Sequence, residues 1–211
     1  MRQVRKLTCL IFLYKNSDTD KTLIKQIKIV ELVQVNIYDG NRIKLRGELF
    51  MLEPIPMSTS KTIQTRLVLP PDTNHMNTIF GGKILAYIDE IAAITSMKHA
   101  KMQTVTASFD SVDFFSPVRS GEVLELEAIV SNTGHSSMEI YIRVQSRDIE
   151  THERKLTTES FVTMVAVGED GKPREVAAVY PETNEERRLF ETGPARRAHR
   201  KAKRDLPHSF L

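Results

Sequence analysis

The sequence predicts an α+β fold in which an antiparallel β-sheet wraps around one long central helix. Three observations predict it. Residues 83–98 carry apolar side chains at the helical period, in a stripe broad enough to be buried. Four segments between residues 105 and 167 are strand-like, three of them alternating apolar and polar residues in steps of two and the last apolar enough to be central, as antiparallel strands with one packed face do. The helix is the only long one in this region available to cover that face.

The elements follow in order. Residues 1–56 read as an N-terminal extension. A positive start leads into a short apolar run, Leu7 to Tyr14, but a signal peptide needs a longer apolar stretch and a small-residue cleavage site, which Lys15-Asn16-Ser17-Asp18 does not supply. The run is also too short to span a bilayer. Arg46-Gly47-Glu48 can be encoded by a purine-rich stretch, which in a bacterium would serve as a ribosome-binding site for a start at Met51. The extension is therefore expected to lie outside the natural product, with an accessory or partner-binding arm as the alternative.

Residues 57–175 form the organised domain. Thr62 to Leu69 reads as a strand stopped by Pro70-Pro71. The loop Asp72-Thr73-Asn74-His75-Met76-Asn77-Thr78 leads through Ile79-Phe80-Gly81-Gly82 into the helix. Ile84, Leu85, Ile88, Ile91, Ala92 and Thr95 make its inner stripe, with Lys83 and Glu90 opposite. In the first strand after it, Val105-Ala107-Phe109 alternate with Thr106-Ser108-Asp110, and Pro117 ends the run. Leu124-Leu126-Ala128-Val130 and Met138-Ile140-Ile142-Val144 are the packed sides of the next two strands, and Thr157 to Val167 is apolar enough to be central. A strand, one buried helix and four antiparallel strands around it is the hotdog arrangement.

Residues 176–211 hold a C-terminal helix and a basic tail. Asn184 to Glu191 predicts a short helix capped by Asn184. The tail, residues 195–204, holds six basic residues and no acid, and is expected to be solvated and poorly ordered. Formal charge is unevenly spread: residues 1–50 carry a net +5 and residues 51–194 a net −7, so the basic character of the chain belongs to its ends. A basic tail can touch nucleic acid or acidic lipid, but residues 1–50 show no helix-turn-helix pair, and no nucleic-acid partner is expected. Cys9 is the sole cysteine and the six histidines lack ligand spacing, so neither an internal disulfide nor a protein-bound metal is expected, and the chain reads as cytoplasmic.

Candidate chemistry gathers around the helix start. Gly81-Gly82 would let a ligand approach the backbone, and the free N–H groups there suit an oxyanion. Tight packing or a turn explains two glycines equally well. Asp89 lies in mid-helix on the flank of the buried stripe, where a carboxylate with a raised pKa could act as general base; an ordinary, partly exposed helix aspartate is the alternative. Asn74 stands in a segment that plain turn chemistry also explains. GxSxG is absent and Cys9 lies outside the domain, so no Ser/His/Asp or Cys/His arrangement competes.

The string PDTNHMNTIFGGKILAYIDE (residues 71–90) resembles the signature of the hotdog acyl-CoA thioesterases of the ACOT and YciA type. The resemblance continues through Val105-Thr106-Ala107, Phe115-Ser116-Pro117-Val118, Gly121-Glu122 and Thr133-Gly134-His135-Ser136-Ser137-Met138, and spans Lys61 to Pro173. It implies hydrolysis of fatty acyl-CoA to free fatty acid and CoA, with no cofactor beyond the coenzyme A of the substrate. It implies that Asn74 and Asp89 are catalytic with Thr106 assisting, and that Phe80, Gly81, Gly82, His135, Ser136 and Ser137 bind substrate. His135 stands where the family often has arginine, which leaves open how the CoA phosphates are held. The resemblance further implies a homodimer whose sites cross the interface, Asn74 of one protomer meeting Asp89 of its partner; trimers of such dimers are common in the family. A hotdog hydratase would want a histidine where Asn77 stands. A non-enzymatic acyl-CoA-sensing hotdog protein is the remaining alternative.

Overall fold

The computed structural model describes residues 5–9, 33–38, 42–44 and 52–205. The chain divides into two compact units, Met1–Met51 and Leu52–Leu211. In the first, strands β1 (Arg5–Cys9), β2 (Val33–Tyr38) and β3 (Arg42–Lys44) form an antiparallel sheet in the order β1-β2-β3. Arg46 to Met51, on which the expectation of an internal start rests, lie outside the described residues.

The second unit begins with β4 (Ile55–Pro56) and a 3-10 turn, Met57–Ser60, then β5 (Thr62–Leu67) and a second 3-10 turn, Pro70–Asp72. Helix α1 (Gly81–Ala100) follows, then β6 (Thr104–Phe114), β7 (Val123–Thr133), β8 (Ser137–Arg147), β9 (Arg154–Ala166), β10 (Val179–Tyr180) and helix α2 (Asn184–Asp205). The large sheet runs β5-β7-β8-β9-β6 with every neighbour antiparallel. β10 pairs in parallel with β4. This is the hotdog arrangement that the alternating pattern predicts.

Helix α1 buries Ile84, Ile88, Ile91, Ala92, Thr95, Ser96 and His99, a stripe that extends one turn beyond the apolar residues visible in the sequence. It ends at Lys101, whose left-handed φ of 54° closes the last turn by an N–H to the Met97 carbonyl. Against it pack Leu124, Leu126, Ala128 and Val130 of β7 and Met138, Ile140, Ile142 and Val144 of β8, all without exposed surface. Burying each such aliphatic side chain contributes about 1.5–3 kcal/mol. β7 bulges between Val130 and Asn132. There the Val130 N–H donates to Ser60 Oγ at 2.9 Å, and that hydroxyl donates to the Met57 carbonyl at 2.7 Å, so the 3-10 turn is stitched to the irregularity.

Two expectations are corrected. β6 does not keep a simple alternation: register shifts between Thr106 and Ser108 and between Phe109 and Ser111 put Thr106 opposite Met164, on the side of α1, and Ser108 opposite Thr163, on the other side. The basic tail is not a loose coil. α2 continues to Asp205 through Pro194 and lies on the sheet face opposite α1. Its cap is Thr183 rather than Asn184: Thr183 Oγ1 accepts the Glu186 N–H at 3.2 Å while Glu186 Oε2 accepts the Thr183 N–H at 3.0 Å, a capping box. The second half of α2 is held by buried acids. Glu139, with 2% of its side chain exposed, accepts from Arg196 Nη2 at 2.6 Å, from Ser131 Oγ at 2.7 Å and from Arg200. Burial alone would raise the Glu139 pKa, but the hydrogen bonds from Arg196, Arg200 and Ser131 overcome it and hold the carboxyl below the usual range. Arg196 also lies 4.2 Å from the centre of the Phe161 ring.

Candidate active site

The loop before α1 is built around Asn74. Its Oδ1 accepts the Met76 N–H at 2.8 Å, the Thr78 N–H at 3.3 Å and the Thr78 hydroxyl at 3.2 Å. The Asn74 N–H donates to the Thr78 carbonyl at 2.8 Å, and Asn77 takes the left-handed φ of 57° that lets the chain turn back. Turn chemistry is thus real, and it leaves a functional remainder. With Oδ1 spent inside the loop, the amide Nδ2 is the group Asn74 can offer outward, as a donor. Asp72 ties the loop to the helix. Its carbonyl accepts the Phe80 N–H at 3.0 Å, and its carboxylate meets Lys83 Nζ at 3.0 Å. Hydrogen bonding to Asp72, with Tyr87 nearby, raises the Lys83 pKa and keeps it charged.

Asp89 projects from the middle of α1 and is exposed in the isolated chain, off the buried stripe. Its Oδ1 accepts the Thr106 hydroxyl at 2.6 Å. Thr106 faces the helix through its regular pairing opposite Met164, and the first irregularity of β6 follows it, at Ala107. Within one chain no hydrogen bond joins Asn74 to Asp89 among the described residues.

At the helix start the Lys83 and Ile84 N–H groups both return to the Phe80 carbonyl, at 2.9 and 3.2 Å. The N–H groups of Gly81 and Gly82 precede the first intrahelical bond and point outward from the positive end of the helix. A Cβ on Gly82 would meet nothing within 4 Å, whereas one on Gly81 would sit 3.5 Å from the tip of the Phe114 ring. Gly82 therefore presents open backbone, and Phe114 stands over the start of the helix. Beside them lies a cavity of about 250 Å³ lined by Ile79, Gly81, Ile84, Phe114, Phe115 and Val118 among others. Two of its lining residues are joined, the Ile79 N–H donating to the Val118 carbonyl at 2.9 Å. Phe80 is exposed at the helix cap.

His135 and Ser136 lie in the turn between β7 and β8 and Ser137 opens β8, with the Gly134 N–H donating to the Ser137 carbonyl at 2.7 Å. His135 is exposed. No hydrogen bond links this turn to Asn74 or Asp89 within the chain among the described residues. A Cβ on Gly134 would collide with the Arg197 guanidinium and lie 2.6 Å from Ser137 Oγ. The glycine thus lets α2 bring Arg197 against the turn, a residue that sequence reasoning assigned only to a solvated tail. Among the described residues no group of three or more His, Cys, Asp and Glu could hold a metal ion, and no helix is long and apolar enough to cross a membrane.

On this hotdog scaffold a helix carboxylate, Asp89, is braced by an edge-strand hydroxyl, and open N–H groups stand separately at the start of the same helix. The chain belongs to the thioesterase superfamily, whose pattern it matches over residues 76–152. It is 46% identical over 142 residues to an uncharacterised acyl-CoA thioester hydrolase of Bacillus subtilis, covering 67% of this chain and 83% of that one. Among solved structures it is similar to an apo-hexameric acyl-CoA thioesterase, with 61% identity, a TM-score of 0.72, and 74% of this chain and 99% of the other covered. It is also similar to an acyl-CoA hydrolase of Staphylococcus aureus in complex with butyryl coenzyme A, coenzyme A and coenzyme A disulfide. That likeness has 47% identity and a TM-score of 0.69, and covers 72% of this chain and 93% of the other.

Proposed function

We propose that this protein hydrolyses acyl-CoA to a free fatty acid and CoA, and that Asp89 is the general base. The observation that carries the reading is the Thr106 hydroxyl donating to Asp89 at 2.6 Å, which fixes one carboxylate oxygen and leaves the other for water. Asp89 takes a proton from water as its oxygen attacks the thioester carbonyl. The Gly81-Gly82 N–H groups and the Asn74 amide stabilise the oxyanion. Collapse of the tetrahedral intermediate breaks the C–S bond, and the proton held by Asp89 leaves with the thiol. The reaction needs no cofactor beyond the coenzyme A of the substrate. The acyl chain enters the cavity beside Phe114, and the CoA phosphates lie toward the turn of His135, Ser136 and Ser137, where Arg197 supplies the positive charge that His135 alone does not.

The site is completed by a second copy of the chain. β6 is the edge of the sheet and is mostly exposed over eleven residues, with Val105 and Phe109 on the strand and Ile94 and Met97 on α1 also uncovered. A long apolar edge of this kind pairs with its own copy about a two-fold axis. Asn74 of one protomer then meets Asp89 of its partner, and the hexameric structural relative suggests three such dimers.

Thiol release from acyl-CoAs of increasing chain length tests the reading. Asp89→Ala should lower turnover by roughly 10²- to 10⁴-fold while leaving the fold intact. Unchanged turnover in a folded Asp89→Ala protein sinks the assignment of the base. Binding without turnover in the wild type would make the protein a sensor instead.

A further inference from the structure

Helix α2 lies outside the stretch that matches the superfamily, yet it reaches the strand that carries Thr106. β6 has two irregularities, one after Thr106 and one that contains Asp110. Unbroken alternation would put residues 106, 108 and 110 on one face. Instead Thr106 turns to Asp89 on the α1 side, and Asp110 turns to the opposite face. There Asp110 Oδ1 accepts from Ser108 Oγ at 2.6 Å, and Oδ2 accepts from Thr163 Oγ1 at 2.7 Å and faces Arg200 Nη1 at 3.2 Å. The two charged side chains are 10% and 15% exposed, and Arg200 is the only cation paired with Asp110 among the described residues. The same guanidinium contacts Glu139, so it is anchored to β8 as well.

A bulge leaves one residue unpaired, and moving it along the strand by one position exchanges the faces of the side chains it passes. In β6 that exchange would carry Thr106 away from Asp89. We propose that Arg200 is a positioning residue for hydrolysis: by holding Asp110 on the outer face it locks the register of β6 and so keeps Thr106 aimed at Asp89. This rests on the reading of Asp89 as the base and Thr106 as its partner. Arg200 acts from the far side of the sheet and touches no reacting atom. The register lock couples the last element of the chain to the chemistry.

The test compares Arg200→Gln and Arg200→Lys in the full chain, on the acyl-CoA the wild type hydrolyses best. Arg200→Gln should lower kcat on the order of tenfold with KM unchanged, because misaiming one group costs rate rather than binding. Arg200→Lys should recover most of the loss. In a Thr106→Ala background Arg200→Gln should cost nothing further, since the group it aims is gone. A merely structural role would give the same loss in both backgrounds, and that result overturns the proposal, as does an unchanged kcat or a loss carried by KM. Asp110→Asn, which keeps the side-chain shape, gives the same comparison if Arg200→Gln does not fold. Wild-type turnover that disappears in Asp89→Ala upholds the assignment of the base whatever Arg200 does, so the two readings fail separately.

Discussion

Glu139→Gln removes the charge at the centre of the contact between α2 and the sheet. The carboxylate receives Arg196 Nε at 3.0 Å and Nη2 at 2.6 Å, Ser131 Oγ at 2.7 Å, and Arg200 on its second oxygen. A glutamine keeps one acceptor, but it turns an amide N–H toward Arg200 and leaves two guanidinium groups with less charge to offset. Breaking a buried ion pair from one side costs about 3–5 kcal/mol. Arg196 and Arg200 keep 22% and 15% of their side chains in contact with water, which places the cost near the lower end. About 3 kcal/mol in a unit of this size corresponds to a fall in Tm of roughly 6–12 °C. The assay is thermal unfolding at pH 7, at one protein concentration for both proteins, because the proposed subunit association would also move Tm. Adding Arg196→Met and Arg200→Met should shrink the cost of Glu139→Gln, since the unpaired charges are then absent. A fall in Tm of under about 2 °C, or an equal fall in both backgrounds, would refute the reasoning.

Two more outcomes are expected. Burial holds the His99 pKa below its ordinary value against the Ala177 carbonyl, 2.9 Å from Nε2, so the folded state keeps the imidazole neutral. Its contribution to stability is complete above the ordinary pKa of 6.5 and is lost as pH falls through the lower folded value. Wild-type Tm should therefore fall from pH 7.5 toward pH 5 more steeply than that of His99→Gln, and parallel curves would contradict this. Phe114→Ala should open the cavity beside Gly81 and move the chain-length optimum upward. Each further methylene admitted is worth about 0.8 kcal/mol, or roughly fourfold in kcat/KM; an unmoved optimum in the acyl-CoA panel would exclude Phe114 as the wall.

Much of this architecture was legible in the residues, because β7 and β8 state their inner faces in unbroken alternation and α1 states its own at the helical period. Asn74, Asp89 and Thr106 were joined as a constellation only by the family resemblance, and the structure brings Thr106 and Asp89 into contact. The double irregularity of β6 was not legible. Its extra residues, Ala107 and Asp110, carry no mark such as a glycine, and their pairing is decided by β9, some fifty residues away. The length of α2 was hidden for a similar reason. Gly193-Pro194 reads as a stop, and what carries the helix past it is distant: Gly193 lies so close to Asn132 that an added Cβ would come within 2.6 Å, and Glu139 draws in the arginines that follow. Asp89 was placed by its position on the flank of the buried stripe, and in the structure it is exposed.

The open edge of β6 also bears on how the protein is made. On the proposed assembly, a newly folded chain carries β6 paired to β9 on one side and open along its other side, with exposed Phe114 and Phe115 at its end, until it meets another copy. Such an edge does not distinguish a proper partner from any other unpaired strand in reach. Synthesis is therefore a race between assembly and adhesion, and its outcome depends on how many sister chains are nearby when each one is finished.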